Sequence, residues 1–257
     1  MKYTYFRLVL AVLLFLGGWQ IVSAETNELM VRCVAFYNLE NVFDTIHDEG
    51  KNDYEYLPDG GMKWTSLKYT NKIQNMAYAI AQLGTDEDPR GAAIVGVSEV
   101  ENIGCLHDLC KELKEKHNRN YVPILLEGPD RRGIDVGLLY NPDMFKPVGK
   151  PKGYELKAHY ADGGVVRSRL QLWVSGYMLD DSRKIVMDKI HISVNHWPSR
   201  SGGEESSRAT RDTAAMLVKQ VADSIYMKEP RAKIIVMGDL NDDPFNNSCS
   251  VILGAKK

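Results

Sequence analysis

Apolar residues along the chain fall into two patterns. Short branched runs of the kind buried strands carry alternate with longer stretches that repeat every three to four positions, as helices do. Residues 31–37, 92–97, 121–126 and 134–140 are runs of the first kind, and Ile234-Ile235-Val236-Met237 reads as a strand buried on both faces. Residues 165–179 and 184–195 read as neighbouring strands joined by an Asp-Asp-Ser turn. The helical period is clearest over 204–226, where Ala214, Leu217, Val218, Val221, Ala222 and Ile225 share one face. Ile73, Met76, Ala77 and Ile80 predict a helix over 64–83, and Leu106, Leu109 and Leu113 another that ends near Asn118. Residues 44–63 are polar, with Gly50, Pro58, Gly60 and Gly61, and predict a long loop of the functional or mobile kind. Asn141-Pro142 closes a strand, and the weaker stretch on to Gly164 reads as loop and edge.

Strands and helices therefore alternate, some strands are consecutive, and polar residues collect at strand carboxyl ends. That order predicts α/β layers with a site along one edge of the sheets. No internal repeat or low-complexity tract interrupts it. At 257 residues, 44% hydrophobic and 26% charged, the chain has the composition of an ordinary globular protein. Its first 24 residues differ from the rest. Lys2 and Arg7 precede the apolar run 8–16, and Val22-Ser23-Ala24 offers the small residues a signal peptidase reads. The run from Leu8 to Val22 is shorter than the ~20 residues of a spanning helix, and Gln20 interrupts it, so an uncleaved anchor is the alternative to a signal peptide. No cysteine near the cut offers a lipid attachment site. The expectation is a domain of residues 25–257, periplasmic or secreted, with no membrane span after cleavage.

Cleavage removes Lys2 and Arg7 and no acid, which moves the formal charge from −2 to −4. That excludes nucleic-acid binding by bulk electrostatics and leaves a local basic groove open. Cys33, Cys105, Cys110 and Cys249 have no zinc-site spacing and are expected as buried free thiols, although the compartment permits disulfides.

The candidate chemistry sits where strands end. Asn38 and Glu40 follow the first strand two apart, and Asp239 and Asn241 follow Gly238 in the same way. On an extended chain that spacing puts each pair on one side. Glu99 follows residues 92–97, Asp135 lies within an apolar strand, and Asn195-His196 ends another. Each has a plain reading: Asp and Asn form turns, Glu99 caps the next helix, His196 is a satisfied core histidine. An acid inside a Val/Leu strand, however, needs a partner. Together the set suits attack of water on phosphorus. Glu99 and Glu40 are hard oxygen ligands for Mg²⁺ or Mn²⁺. His196, kept charged by a buried acid such as Asp135, can protonate the leaving oxygen. Asp239 can orient or deprotonate the water, while Asn38, Asn195 and Asn241 hold phosphate oxygens. Arg208 and Arg211, three apart and in line with Ala214, either point to the sheet edge or lie on the surface of the first helical turns.

The motifs Asn38-Leu39-Glu40-Asn41, Ser98-Glu99-Val100-Glu101-Asn102, Gly133-Ile134-Asp135-Val136, Asn195-His196-Trp197-Pro198-Ser199-Arg200 and Gly238-Asp239-Leu240-Asn241 resemble, in order, those of the endonuclease/exonuclease/phosphatase superfamily, the group of deoxyribonuclease-I-like enzymes. The resemblance implies a four-layer α/β/β/α sandwich of two packed mixed sheets and Mg²⁺-dependent hydrolysis of a phosphoester. The substrate class is nucleic acid or a small-molecule or lipid phosphodiester, and no obligate protein partner is implied. Phosphodiesterase or endonuclease chemistry is the first reading. A phosphatase or phospholipid phosphohydrolase on the same site, or an inactive remnant, are the alternatives. It makes Glu99 the principal metal ligand, sets Asn38 and Glu40 at the metal and phosphate end of the first strand, and pairs Asp239 with Asn241 for water and phosphate. It also makes His196 the acid, with Asp135 as its partner. The family pattern closes with an Asp-His pair, commonly Ser-Asp-His, which residues 251–257 do not contain. His191 lies five residues before His196, on the opposite side of a strand. The resemblance thus implies an incomplete member whose last strand or strands are missing.

Overall fold

A computed structural model describes residues 30–160, 163–185 and 189–255; the export segment expected at residues 1–24 lies outside them. The strands are β1 (Val34–Val42), β2 (Ile94–Val100), β3 (Val122–Leu125), β4 (Asp135–Tyr140), β5 (Phe145–Tyr154), β6 (Gln171–Met178), β7 (Ile190–His196) and β8 (Lys233–Asp239). The helices are α1 (Ser66–Ala81), α2 (Ile103–His117) and α3 (Glu204–Lys228). Two four-stranded sheets form, ordered β1-β2-β4-β3 and β5-β6-β7-β8. Within each sheet one pair is parallel, β1 with β2 and β7 with β8, and the remaining pairs are antiparallel.

Alternation of side chains explains the layering. Ile94, Val136, Leu138, Leu172, Ile192 and Val194 point from both sheets into one core between them. The opposite face of the first sheet, with Val95 and Val97, is covered by Ile73 and Ile80 of α1 and by Leu106, Leu109 and Leu113 of α2. Ala214, Val218 and Val221 of α3 cover the outer face of the second sheet, beside Trp173 and Trp197. The result is the four-layer α/β/β/α sandwich. Thr65 caps α1 by accepting from the Lys68 amide, and Asn102 caps α2 by accepting from Cys105 at 3.0 Å. Asn102, not Glu99, is therefore the helix cap. The four cysteines are free thiols. Among the described residues no helix is long and apolar enough to cross a membrane.

Two stretches depart from their apolar pattern. Residues 145–154, expected within a loop-and-edge region, form a full ten-residue strand. Its lysines and prolines hid it, yet these are the residues an outermost strand tolerates, because its outer amides need no partner. Residues 165–179 and 184–195 pair over shorter spans than their composition suggests, as β6 and β7. Outside those strands, among the described residues, only the isolated bridges His159–Val165 and Leu179–Ile185 appear.

Candidate active site

Four side chains from the two sheets meet where the parallel pairs end. Val34 and Phe36 of β1 pack on the core between the sheets, so Asn38 continues that face. In β7 the same alternation carries Ile190, Ile192 and Val194 to His196, and in β8 it carries Met237 to Asp239. Glu99 is different. With Val95 and Val97 facing the helices, an unbroken β2 would turn Glu99 toward them too. Instead β2 bulges: Ser98 pairs with Val136 and Val100 with Asp135, which leaves Glu99 as the extra residue, at φ 61°. Val100 takes the helix-side place that Glu99 vacates, and Glu99 reaches the rim.

There the Asn38 amide donates to Glu99 Oε1 at 3.1 Å and to Asp239 Oδ2 at 3.2 Å. His196 Nε2 lies 3.8 Å from the first oxygen and 4.0 Å from the second. Glu99, His196 and Asp239 each offer one ligand atom, all within 4.8 Å of one another. Two carboxylates and one imidazole at this spacing form a donor set of the kind divalent cations take. These residues fit a metal.

Electrostatics set the state of the histidine. His196 is buried, and burial together with the nearby guanidinium groups of Arg169 and Arg132 pushes its pKa down to about 3. Asp135 does not offset this. Its carboxylate accepts from the Gly128 amide at 3.1 Å, its other oxygen has no partner, and His196 Nδ1 has none either. Burial raises Asp135 to about 7. The expected Asp135–His196 pair is therefore absent, and the imidazole is neutral.

The spacing-of-two argument fails at both strand ends for one reason. Asn38 Oδ1 accepts from the Glu40 amide, and Asp239 Oδ1 accepts from the Asn241 amide, each two residues on. These side-chain turns bring the later residue to positive φ, 55° at Glu40 and 51° at Asn241. Glu40, expected as a metal ligand, has an exposed carboxylate 4.0 Å from Lys72 and does not join the cluster. Asn241 donates instead to the Trp197 carbonyl at 3.0 Å. Asn195 faces the helix side of β7, fully buried, and donates to Ser193 Oγ and the Met237 carbonyl. Arg208 is exposed and paired with Glu205 on its own helix. Arg211 is fully buried against Asp242 at 2.6 Å and Ser207 at 2.7 Å, where it ties α3 to the segment after β8. None of these five side chains joins Glu99, His196 and Asp239 in the cluster.

Two arginines without a role in the sequence reading stand near it. Arg169, buried, donates to the Trp197 carbonyl at 3.0 Å and reaches Asp130 at 3.4 Å, so it fixes the backbone just after His196. Arg132 is half exposed and contacts Asn41 at 3.4 Å. Arg132 lies in the polar turn 128–133, which has no periodicity to mark it, and Arg169 lies in the run 165–179, where the strand pattern carries no sign of a role at the site. Glu101 is likewise buried and raised to about 8, mainly by burial, next to Asp44 and Cys105. A protonated carboxyl beside a thiol held at about 12 is a poor cation site.

The sequence matches the model of the Endonuclease/Exonuclease/phosphatase family over residues 33–257. A sequence search of the curated proteins finds no match. Among solved structures, an endonuclease/exonuclease/phosphatase family protein from Bacteroides thetaiotaomicron is similar with a TM-score of 0.53 at 16% identity, over 86% of this chain and 66% of that one. A mannosyl-6-phosphatase from the same organism gives 0.53 at 16%, over 86% and 69%. A β-hairpin deletion mutant of the β-toxin of Staphylococcus aureus gives 0.51 at 14%, over 88% and 72%. The chain thus spans just under two thirds of the first of these solved relatives.

Proposed function

We propose, from the premise that this chain belongs to the endonuclease/exonuclease/phosphatase family, that it hydrolyses a phosphodiester with a divalent cation held at Glu99 and Asp239. Members of the family are phosphoesterases and are generally divalent-metal dependent. The observation that carries the reading is the convergence of Glu99 from one sheet with His196 and Asp239 from the other, within 4.8 Å. A bound Mg²⁺ or Mn²⁺ supplies charge that screens the phosphate and stabilises the oxygens of the transition state.

The chain's own groups do the rest. Asn38 sets the spacing of the two carboxylates by donating to both. Asp239, held at one oxygen by the Asn241 amide, orients the attacking water through the other. His196 starts as a neutral imidazole. An anionic phosphate beside it would raise its pKa against burial and against the field of Arg169 and Arg132, so that the ring takes up a proton from solvent and passes it to the leaving oxygen. Arg132, half exposed, is the group that can hold that phosphate. Arg169 and Asn241 both donate to the Trp197 carbonyl and so position His196 rather than touch substrate.

A second reading, hydrolysis of a phosphomonoester, is favoured by one feature. The open hollow beside Asp239, about 610 Å³, is lined by Asp242 and Asp243 as well as Arg200. Asp242 is paired with Arg211 and Asp243 with Arg200, so the hollow's one lining cation is already engaged and none is left for the continuing strand of a nucleic acid on this side. The charge pattern and apolar run of residues 1–24 support export from the cytoplasm.

The test is turnover of bis-nitrophenyl phosphate by residues 25–257 with Mg²⁺, Mn²⁺ or EDTA. Activity should require the metal and fall by roughly a thousandfold in Glu99→Ala and in Asp239→Ala, the loss of about 4 kcal/mol of transition-state stabilisation. Metal-dependent turnover that survives both substitutions overturns the assignment. Plasmid nicking against phosphate release from nitrophenyl phosphate separates the diester reading from the monoester one.

A further inference from the structure

A cleft of about 370 Å³ opens on the outer face of the second sheet, between β5, β6, β7 and the last turns of α3. It uses the face of β7 opposite to the active site: His191 points into it, whereas His196 points between the sheets. Lys150 and Lys152 on β5, Lys189 before β7 and Lys228 at the end of α3 line it, and Val148, Val221 and Ile225 form its apolar wall. Only one lining residue, Glu229, is acidic, and it is already engaged: it accepts from Lys189 at 2.5 Å and lies 3.2 Å from His191 Nε2. Among the described residues Lys150, Lys152 and Lys228 have no acidic partner.

The floor is built rather than incidental. Ser175 Oγ and His191 Nδ1 are 2.8 Å apart, and His191 is 5% exposed. Trp173, also 5% exposed, lines the cleft, and its indole N–H is buried with no hydrogen-bond partner. An unpaired buried donor costs about 1–3 kcal/mol, and a small shift of the ring toward the cleft would let an acceptor there recover it. A second hollow, lined by Lys189, Glu229 and Arg231, continues from the same edge and adds another cation.

We propose that this cleft is a second ligand site, for a small organic phosphomonoester bound without a metal. The terminal carbonyls of α3 oppose an anion with the equivalent of roughly half a charge, and the three ammonium groups left unpaired, those of Lys150, Lys152 and Lys228, outweigh it. A dianion matches the surplus of positive charge better than a carboxylate does. The apolar wall leaves room for the organic body, and the volume lies within the range that takes a small ligand.

The experiment is isothermal titration of residues 25–257 in EDTA with adenosine monophosphate, inorganic phosphate and adenosine. Both phosphates should bind at one site and adenosine should not. Lys152→Glu and Lys228→Glu should each weaken binding about tenfold or more, since an exposed attraction becomes a repulsion of similar size. Trp173→Phe, which keeps an aromatic ring but removes the donor and part of the indole's volume, should weaken it severalfold with an unchanged circular dichroism spectrum. Glu99→Ala should leave the affinity unchanged. Absence of phosphate binding in EDTA, equal binding of adenosine, or binding lost in Glu99→Ala but untouched by both lysine substitutions overturns the proposal. Because the exchanged lysines are exposed side chains, misfolding does not confound them.

Discussion

The two parallel pairs, β1 with β2 and β7 with β8, deliver side chains to one rim by opposite means. The β7/β8 pair keeps its register to the last residue, with Asn195 opposite Gly238 and His196 opposite Asp239. Ordinary alternation then aims His196 and Asp239 correctly. The β1/β2 pair breaks its register between Asn38 and Val42, and β2 breaks again toward β4 at Glu99. Glu40, Asn41 and Glu99 all take positive φ there. In the ladder the only residue with positive φ is Gly238, at 148°, and a glycine takes it without the cost a side chain would add. A bulge holds its residue in a left-handed conformation that costs a non-glycine about 1–2 kcal/mol, and it persists because Val100 gains a buried place in exchange. The principal carboxylate of the site thus rests on backbone strain and its partners on regular sheet.

The sharpest break of this contrast is Gly238→Ala. Gly238 sits at φ 148°, and an added Cβ would lie 2.0 Å from the Asn195 carbonyl oxygen. That contact is backbone on backbone in a regular ladder, so nothing nearby can give way. The variant should lose about 3 kcal/mol or more of stability, seen as a lower urea midpoint. Its metal-dependent turnover should also fall as Asp239 loses its place opposite His196. An unchanged midpoint would mean that the β7/β8 end is as adaptable as the bulged one.

The same contrast decides what the sequence could reveal. Asn38, His196 and Asp239 are reached by simple alternation, and the apolar runs before them announce both strand and face. Glu99 was found by its place after a strand, but the bulge that aims it leaves no mark in Ile94-Val95-Gly96-Val97-Ser98. Glu40 and Asn241 leave the side that a spacing of two on extended chain implies, because at each place a side chain bonds the amide two ahead. Arg211 carries the signal of a first-turn arginine in line with the core and proves to be a buried anchor for Asp242. Tertiary pairing of that kind is not written in local periodicity. β5 is hidden in the sequence for the converse reason: an edge strand needs no apolar alternation.

A second test lies beside the bulge, at Asp135, which pairs with Val100. Its folded pKa of about 7 stands above that of an unfolded aspartate. The folded chain therefore holds this proton more tightly. Its contribution to stability is full below about pH 4, declines as pH rises, and is gone above pH 7, at up to about 1.4 kcal/mol per pH unit. Asp135→Asn keeps an acceptor for the Gly128 amide and removes the titration. The variant should flatten the fall in urea midpoint between pH 5 and pH 7. An equally steep fall would assign the slope to another acid, such as Glu101, which is also buried and raised.

Glu99→Gly isolates the strain itself. Glycine takes φ 61° without penalty, and the substitution also removes one of two adjacent carboxylates. The variant should be inactive yet more stable by about 1 kcal/mol, a rise in melting temperature of roughly 2–4 °C. Glu99→Ala, which keeps the strain, should gain less. If both variants are destabilised alike, the bulge is held by contacts of the Glu99 side chain, and the exchange with Val100 is not what maintains it.

The smallest expected effect concerns Glu40, on the same strained strand pair. Its carboxylate is 81% exposed and touches only Lys72, at 4.0 Å. Exposed ion pairs contribute little, so Glu40→Ala should change kcat/KM by less than about twofold. Lys72 is already lowered mainly by burial, and Glu40 and Glu99 both oppose that shift, so the loss of one leaves the other. A tenfold fall in turnover would mean that residues 40 and 41 unwind from positive φ when metal and substrate bind, carrying Glu40 back to the side of Asn38. The strained half of the rim would then be a moving part, and only the β7/β8 half would be fixed before the substrate arrives.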